Sequence, residues 1–209
     1  ATGSGQAAVG LAAQFESVLA TDASENQIAQ CPTHPRISFQ VASAEQAPLA
    51  DHSVDLITVA QALHWFDLEA FYREARRVLK PHGVLAVWSY KLLHVSPQVD
   101  AVIDYYYRDL LGPYWPPERQ RVEQGYAPLP ADFRALDLPA FAMVTDWQPE
   151  QLLGYLGTWS AGVYYRQALQ HDPLQHIKLP LARAWGNPTQ QRRVTWPLQL
   201  RVGRLALEA

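Results

Sequence analysis

Residues 53–87 read SVDLITVAQALHWFDLEAFYREARRVLKPHGVLAV, and this stretch decides the fold. It begins with Val54 to Ala60, a continuous apolar run of the kind carried by a strand covered on both faces. Asp67 is placed to cap a helix in which Leu68, Phe71, Tyr72, Ala75, Val78 and Leu79 recur at helical spacing on one face. Pro81-His82-Gly83 is expected to stop that helix, and Val84 to Trp88 reads as the next strand. Two strands joined through a helix lie parallel, because a parallel pair needs a crossover connection.

The same alternation extends towards the amino terminus. Gly3-Ser4-Gly5 opens a helix from about Gln6 to Phe15, and Ser17 to Asp22 is a short apolar strand ending in an acid. Ser24-Glu25-Asn26-Gln27 has the capping-box pattern and predicts a brief helix to Gln30. Arg36 to Ala42 is β-branched and aromatic, hence a strand, and a loop with Pro48 follows it. The fold class is therefore α/β, a mostly parallel twisted sheet with helices on both faces.

After Tyr90 the pattern changes. Val99, Val102, Ile103, Tyr106 and Leu110 space out a helix, followed by a Pro- and Trp-rich turn from Gly112 to Pro117. A mixed segment runs to Pro139, then a strand near Phe141 to Trp147, and helices near Pro149 to Leu156, Ser160 to Leu169 and Pro173 to Trp185. Arg193 to Leu205 alternates like an antiparallel closing strand, with Pro197 arguing for an edge or a bulge. The expected organisation has three parts: residues 1–90 as the α/β core, 91–139 as a helical insertion, and 140–209 completing the same domain.

Composition narrows the function. The 209 residues are 48% hydrophobic and 18% charged, enough to bury a sizeable core and unlike a disordered chain. Net charge is −3 and no segment concentrates Lys or Arg, which argues against a nucleic-acid partner. No apolar run approaches the roughly 20 residues of a membrane span. No signal peptide is evident, and Cys31 is the only cysteine, so a cytoplasmic location is expected. A homo-oligomer is compatible with this sequence. The seven Trp, ten Tyr and sixteen Pro concentrate after residue 85 and hint at an aromatic-lined second half.

Four features sit at the carboxyl ends of successive strands: the Gly3-Ser4-Gly5 loop, Asp22, Ser43-Ala44-Glu45, and the segment Gln61 to Asp67. In open α/β sheets ligands bind outside those ends. Asp22 lies seventeen residues after Gly5, near the interval at which an acid accepts two ribose hydroxyls. The loop and the acid together point to a nucleotide-like ligand. No metal-ligand set and no enzyme nucleophile is evident.

These residues resemble the class I S-adenosylmethionine (SAM)-dependent methyltransferases, in the small-molecule branch that includes trans-aconitate methyltransferase. ATGSGQAA at the start, Asp22, Ala44-Glu45 and residues 53–87 carry the resemblance; YWPPER, LGYLGTWSA and VTWPLQLRVGR extend it into the second half. The resemblance implies a Rossmann-like fold and SAM as cofactor. It implies that Gly3 and Gly5 lie against the methionyl and ribose portion, that Asp22 holds the ribose diol with Ala23 beside the adenine, that Ala44 and Glu45 border the adenine, and that Gln61 flanks the methionyl side. It also implies a strand ahead of the glycine loop and a lid segment, so the strands ending at Asp22 and Ala60 are expected to face each other across a gap. Ser43 stands where relatives carry an Asp, and Ala1 where they carry a glycine.

Substrate-side candidates are Trp65, Trp115 and Arg119, the arginine suited to a bidentate grip on an acceptor carboxylate. Trp159, Tyr164, Tyr165 and Arg166 are further members of an aromatic, basic pocket or, as simply, of the core. His64 is a candidate proton acceptor; the plainer reading is a loop histidine packed beside Trp65. The expected partner is a small-molecule methyl acceptor. Two alternatives stand beside this reading: a methyltransferase-like scaffold that no longer binds SAM, and a nicotinamide-binding dehydrogenase, for which a second matching half is lacking.

Overall fold

A computed structural model describes residues 1–117, 119 and 126–206, so part of the expected YWPPER segment and of the mixed segment lies outside the described residues. The chain forms two units, one of residues 1–89, 124–139 and 199–209, the other of residues 90–123 and 140–198. This partition differs from the three consecutive parts read from the sequence. The segments 124–139 and 199–209 group with the amino-terminal core rather than with their sequence neighbours.

The first unit begins with helix α1 (Gln6–Leu11), strand β1 (Val18–Asp22), helix α2 (Glu25–Ile28) and strand β2 (Ile37–Val41). Helix α1 stops short of Phe15 because i→i+3 bonds from Ala13 to Gly10 and from Gln14 to Leu11 tighten its last turn. Ser24 stands at the N-cap of α2 without a side-chain bond, so the expected capping box is not formed. Its backbone N–H donates instead to Asp22 Oδ1 at 2.9 Å.

Strand β3 (Val54–Ala60) is followed by the 3₁₀ turn Leu63–Trp65, helix α3 (Leu68–Val78) and strand β4 (Leu79–Tyr90). Asp67 caps α3 as expected, accepting from Ala70 N–H at 3.1 Å, and the face of Phe71, Ala75 and Val78 is buried. The helix ends earlier than the Pro81-His82-Gly83 signal suggests. Leu79, fully buried, already pairs with Val54, whereas Leu56 pairs with Val84, so Lys80–Gly83 loops out of the ladder. His82 there has φ of 65°, and a Cβ on Gly83 would lie 2.9 Å from Leu79 Cδ2 and from the Lys80 carbonyl. The breaker residues shape a bulge in place of a helix stop.

The second unit holds helix α4 (Pro97–Asp104), continued by a π-helical turn over Tyr105–Leu110. Strand β5 (Phe133–Ala135), unexpected from the sequence, belongs to the first unit; strand β6 (Ala142–Trp147) belongs to the second. Helices α5 (Pro149–Gly157), α6 (Ser160–Leu169) and α7 (Lys178–Trp185) and strand β7 (Arg192–Leu205) follow. Their apolar faces meet in a core with Val99, Ile103, Leu152, Leu156, Leu181 and Trp185 fully buried.

The strands form a parallel pair β1–β2 and a second sheet ordered β3-β4-β7-β5, with β6 on β7. Parallel β3–β4 and antiparallel β5 and β6 against β7 make a mixed α/β sheet with an antiparallel carboxyl-terminal strand. On the edge of β1 away from β2, the Thr21 carbonyl accepts the Thr2 N–H at 2.7 Å. Pro197 is not at an edge. It pairs with Ala142 while its carbonyl accepts Lys91 N–H at 2.9 Å, so only one donor is missing from an interior strand.

Candidate functional site

The glycine loop is fastened to β1 through Asp22. Gly3 N–H donates to Asp22 Oδ2 and Ser24 N–H to Oδ1, both at 2.9 Å. Each oxygen of a carboxylate has two acceptor positions, so both retain capacity for a ligand hydroxyl. Gly3 (φ 58°) and Gly5 (φ 87°) occupy the left-handed region that favours glycine. Their surroundings differ. A Cβ on Gly3 would meet only Gln27 Oε1, at 3.9 Å, whereas one on Gly5 would lie 2.6 Å from Phe39 Cε1. Gly3 is open; Gly5 is there because Phe39 packs beneath the loop. Ala23, next to Asp22, is exposed.

The loop after β2 presents Ala44 and Glu45, and an ionic clamp holds its far end. Arg77 on α3 pairs with Glu74 at 2.6 Å and Asp51 at 2.7 Å and donates to the Leu49 carbonyl at 2.8 Å. Glu74, nearly buried, also accepts Ala47 N–H at 2.8 Å. The Arg77 hydrogen bond, opposed by burial, holds the Glu74 carboxyl below the ordinary range. Glu45 Oε1 in turn accepts Asp67 N–H at 3.1 Å, tying the loop after β2 to the start of α3. Burial lowers the pKa of the Ala1 amine, whereas the nearby Asp22 and Glu45 carboxylates raise it. The glycine loop, Asp22 and Glu45 thus share one neighbourhood.

Gln61 follows β3 in the left-handed region, φ 52°, its N–H donating to the Trp88 carbonyl at 2.8 Å. His64 is buried, its Nδ1 3.0 Å from the Tyr126 hydroxyl and its ring 4.7 Å from that of Trp65. That is the arrangement of a packed histidine. Trp65 itself is 63% exposed, a large apolar ring left for solvent or a ligand.

In the second unit, Trp115 and Arg119 are brought together. The Arg119 guanidinium lies 5.0 Å from the Trp115 ring centroid and 5.7 Å from that of Tyr107, and its Nε donates to the Tyr107 hydroxyl at 3.1 Å. Both residues line a cavity of about 270 Å³ with Tyr107, Arg108 and Gly112. Arginine stacked on aromatic faces is held rigid, and its fork keeps a planar, cationic edge suited to a carboxylate. Trp159 joins this wall through Tyr107 and Trp115, whereas Tyr164 is exposed. Arg166 is instead near Asp172, at 3.7 Å. Sequence reasoning missed Phe39, Tyr126 and the Arg77 clamp, because an aromatic or a charge pair at long separation leaves no local pattern.

Residues 1–87 match the family described as a methyltransferase domain. A protein of Dictyostelium discoideum named as a methyltransferase is 34% identical over 186 residues, covering 88% of this chain and 71% of that one. A Mycobacterium tuberculosis protein named as S-adenosylmethionine-dependent is 33% identical over 104 residues, covering 49% of this chain and 38% of its own. Among solved structures, one from Anaeromyxobacter dehalogenans described as a type II methyltransferase is 47% identical, with a TM-score of 0.92 over 99% of this chain and 88% of its own. A Bacillus halodurans structure, 18% identical with a TM-score of 0.53 over 99% of this chain and 90% of its own, shares the fold.

Proposed function

The chain belongs to the SAM-dependent methyltransferases, a family of enzymes, and on that premise we propose that it binds SAM at the glycine loop and methylates a small acceptor bearing a carboxylate. The observation that carries this reading is the Asp22 carboxylate, held by two backbone amides beside the glycine loop with acceptor capacity to spare. The residues fit the cofactor. A ribose diol needs a fixed pair of acceptor oxygens, and the open Gly3 lets a ligand approach the backbone without meeting a side chain. Ala44 and Glu45 supply the adjoining wall, on a loop that the Arg77–Glu74 clamp holds in place.

When bound, SAM supplies a sulfonium methyl that is already electrophilic. The work left to the protein is orientation, which can lower a barrier by roughly 7–11 kcal/mol when reactants are held in line. Arg119, braced by Trp115 and Tyr107, is the group we assign to the acceptor carboxylate. The likeness of residues 53–87 to the trans-aconitate methyltransferase branch supports an acidic acceptor. Calorimetric titration with SAM tests the reading. Micromolar binding is expected, weakened at least tenfold by Asp22→Asn, since a hydrogen bond to a charged acceptor contributes about 1.5–3 kcal/mol. Absence of heat at millimolar SAM would sink it.

A further inference from the structure

The second unit contains another cavity, of about 350 Å³, lined by Tyr90, Met143, Thr145, Trp147, Tyr155 and Trp196. Three of its rings stand across one another. Trp147 and Trp196 are 5.1 Å apart at 80°, Tyr155 and Trp196 5.4 Å apart at 79°, and Trp147 and Tyr155 5.6 Å apart at 49°. Such a corner offers a ring both a face to stack on and an edge to meet. Met143 at the rim is half-exposed, and its thioether adapts to a ring of either size.

The polar atoms in this corner have a defined direction. Trp196 Nε1, a donor only, gives its proton to the Tyr155 hydroxyl at 3.1 Å. Burial pushes the pKa of the Tyr90 phenol up, and its hydrogen bond with Tyr155 pushes the same way. The Tyr155 oxygen thus accepts from Trp196 and also takes part in the bond with Tyr90. Only one of the two phenolic protons can lie between those oxygens, which leaves the pair one O–H to donate. Arg119 lies near enough to Tyr90 to favour its phenolate, against the larger effect of burial.

We infer that this aromatic corner is a binding site for a planar aromatic ligand carrying a hydrogen-bond acceptor oxygen, stacked among Trp147, Tyr155 and Trp196 and receiving the Tyr155 O–H. The nearby Arg119 charge sets it apart from the aromatic cages that take quaternary ammonium ions, which need a field of the other sign. The site lies wholly within the second unit, and its occupancy does not require SAM.

Acetophenone and its hydrocarbon isostere α-methylstyrene, titrated by NMR with both the ligand signals and the protein indole N–H signals followed, test the assignment. Acetophenone is expected to saturate in the low millimolar range or below and to shift the Trp147 and Trp196 indole N–H resonances. It should bind several-fold more tightly than α-methylstyrene, and Tyr155→Phe should remove that difference while leaving the hydrocarbon's affinity unchanged. Retained hydrocarbon binding also shows that the variant is folded. No saturation by 10 mM, on the order of the weakest affinity a real site of this size would show, overturns the proposal. So do unmoved indole resonances in the wild type, an unchanged preference in Tyr155→Phe, or displacement of acetophenone by tetramethylammonium.

Discussion

Gly3 and Gly5 share one loop and the same backbone region, yet replacing each by alanine should have different consequences. At Gly3 the only penalty is conformational, about 1–2 kcal/mol for a left-handed residue with a Cβ, because nothing but Gln27 Oε1 is within 4 Å. At Gly5 that cost recurs, and the new methyl would sit 2.6 and 2.8 Å from two carbons of the Phe39 ring. Overpacking of this kind adds about 1–3 kcal/mol, for a total near 2–5 kcal/mol. Urea unfolding followed by circular dichroism measures both, with the slope checked for two-state behaviour. Combining Gly5→Ala with Phe39→Leu should return the steric part and leave the conformational part, a coupling of about 1–3 kcal/mol. Gly3→Ala should stay folded while losing SAM affinity. Equal costs at the two glycines, or no coupling to Phe39, would refute the assignment of Gly5 to packing.

Other outcomes follow from buried polar groups. The Tyr106 side chain is fully buried and its hydroxyl has no hydrogen-bond partner among the described residues; burial first, then Asp172, raises its pKa to about 12. Its contribution is complete below pH 10 and lost as pH rises towards 12, about 2–3 kcal/mol in all. Tyr106→Phe should abolish that alkaline limb and raise stability at pH 7 by about 1 kcal/mol, read from urea midpoints. Glu74, with a lowered pKa, works in the opposite sense: its contribution is present above its ordinary value near 4.5 and lost as pH falls through the depressed one. Glu74→Gln should cost about 1.5–3 kcal/mol at pH 7 and flatten the acid limb, measured by thermal melts across pH 2–6. It should also loosen the Ala44-Glu45 loop, visible as faster amide exchange at Ala47.

Much of the first unit was legible because its elements are long and periodic. The run from Val54 to Ala60 and the Asp67-capped helix needed no long-range information. The Leu79 exit was hidden, since a residue at helical spacing can equally begin a strand once its partner Val54 outbids another helical turn. Pro81 and Gly83 are breakers in either setting, and only the ladder tells a bulge from a stop. In the site, Asp22 could be found by its interval from the loop, but its double grip on Gly3 and Ser24 could not. The capping box at Ser24 failed for a related reason, because the neighbouring carboxylate reached its amide first. The grouping of the second half escaped sequence reading altogether. Turn-rich segments such as 124–139 carry no mark of the body they join.

The division of the chain also constrains how it can be cut. The boundary between the two units is crossed near residues 89, 123, 139 and 198, and the last crossing runs through strand β7, whose later residues pair with Phe133 to Ala135. No contiguous fragment consists of one unit alone. A truncation at residue 198 strips the first unit of the strand that β5 needs, and one beginning at residue 90 leaves the second unit burdened with segments whose partners are gone. Isolating the aromatic half therefore calls for deleting 124–139 and rejoining the chain, not for trimming an end.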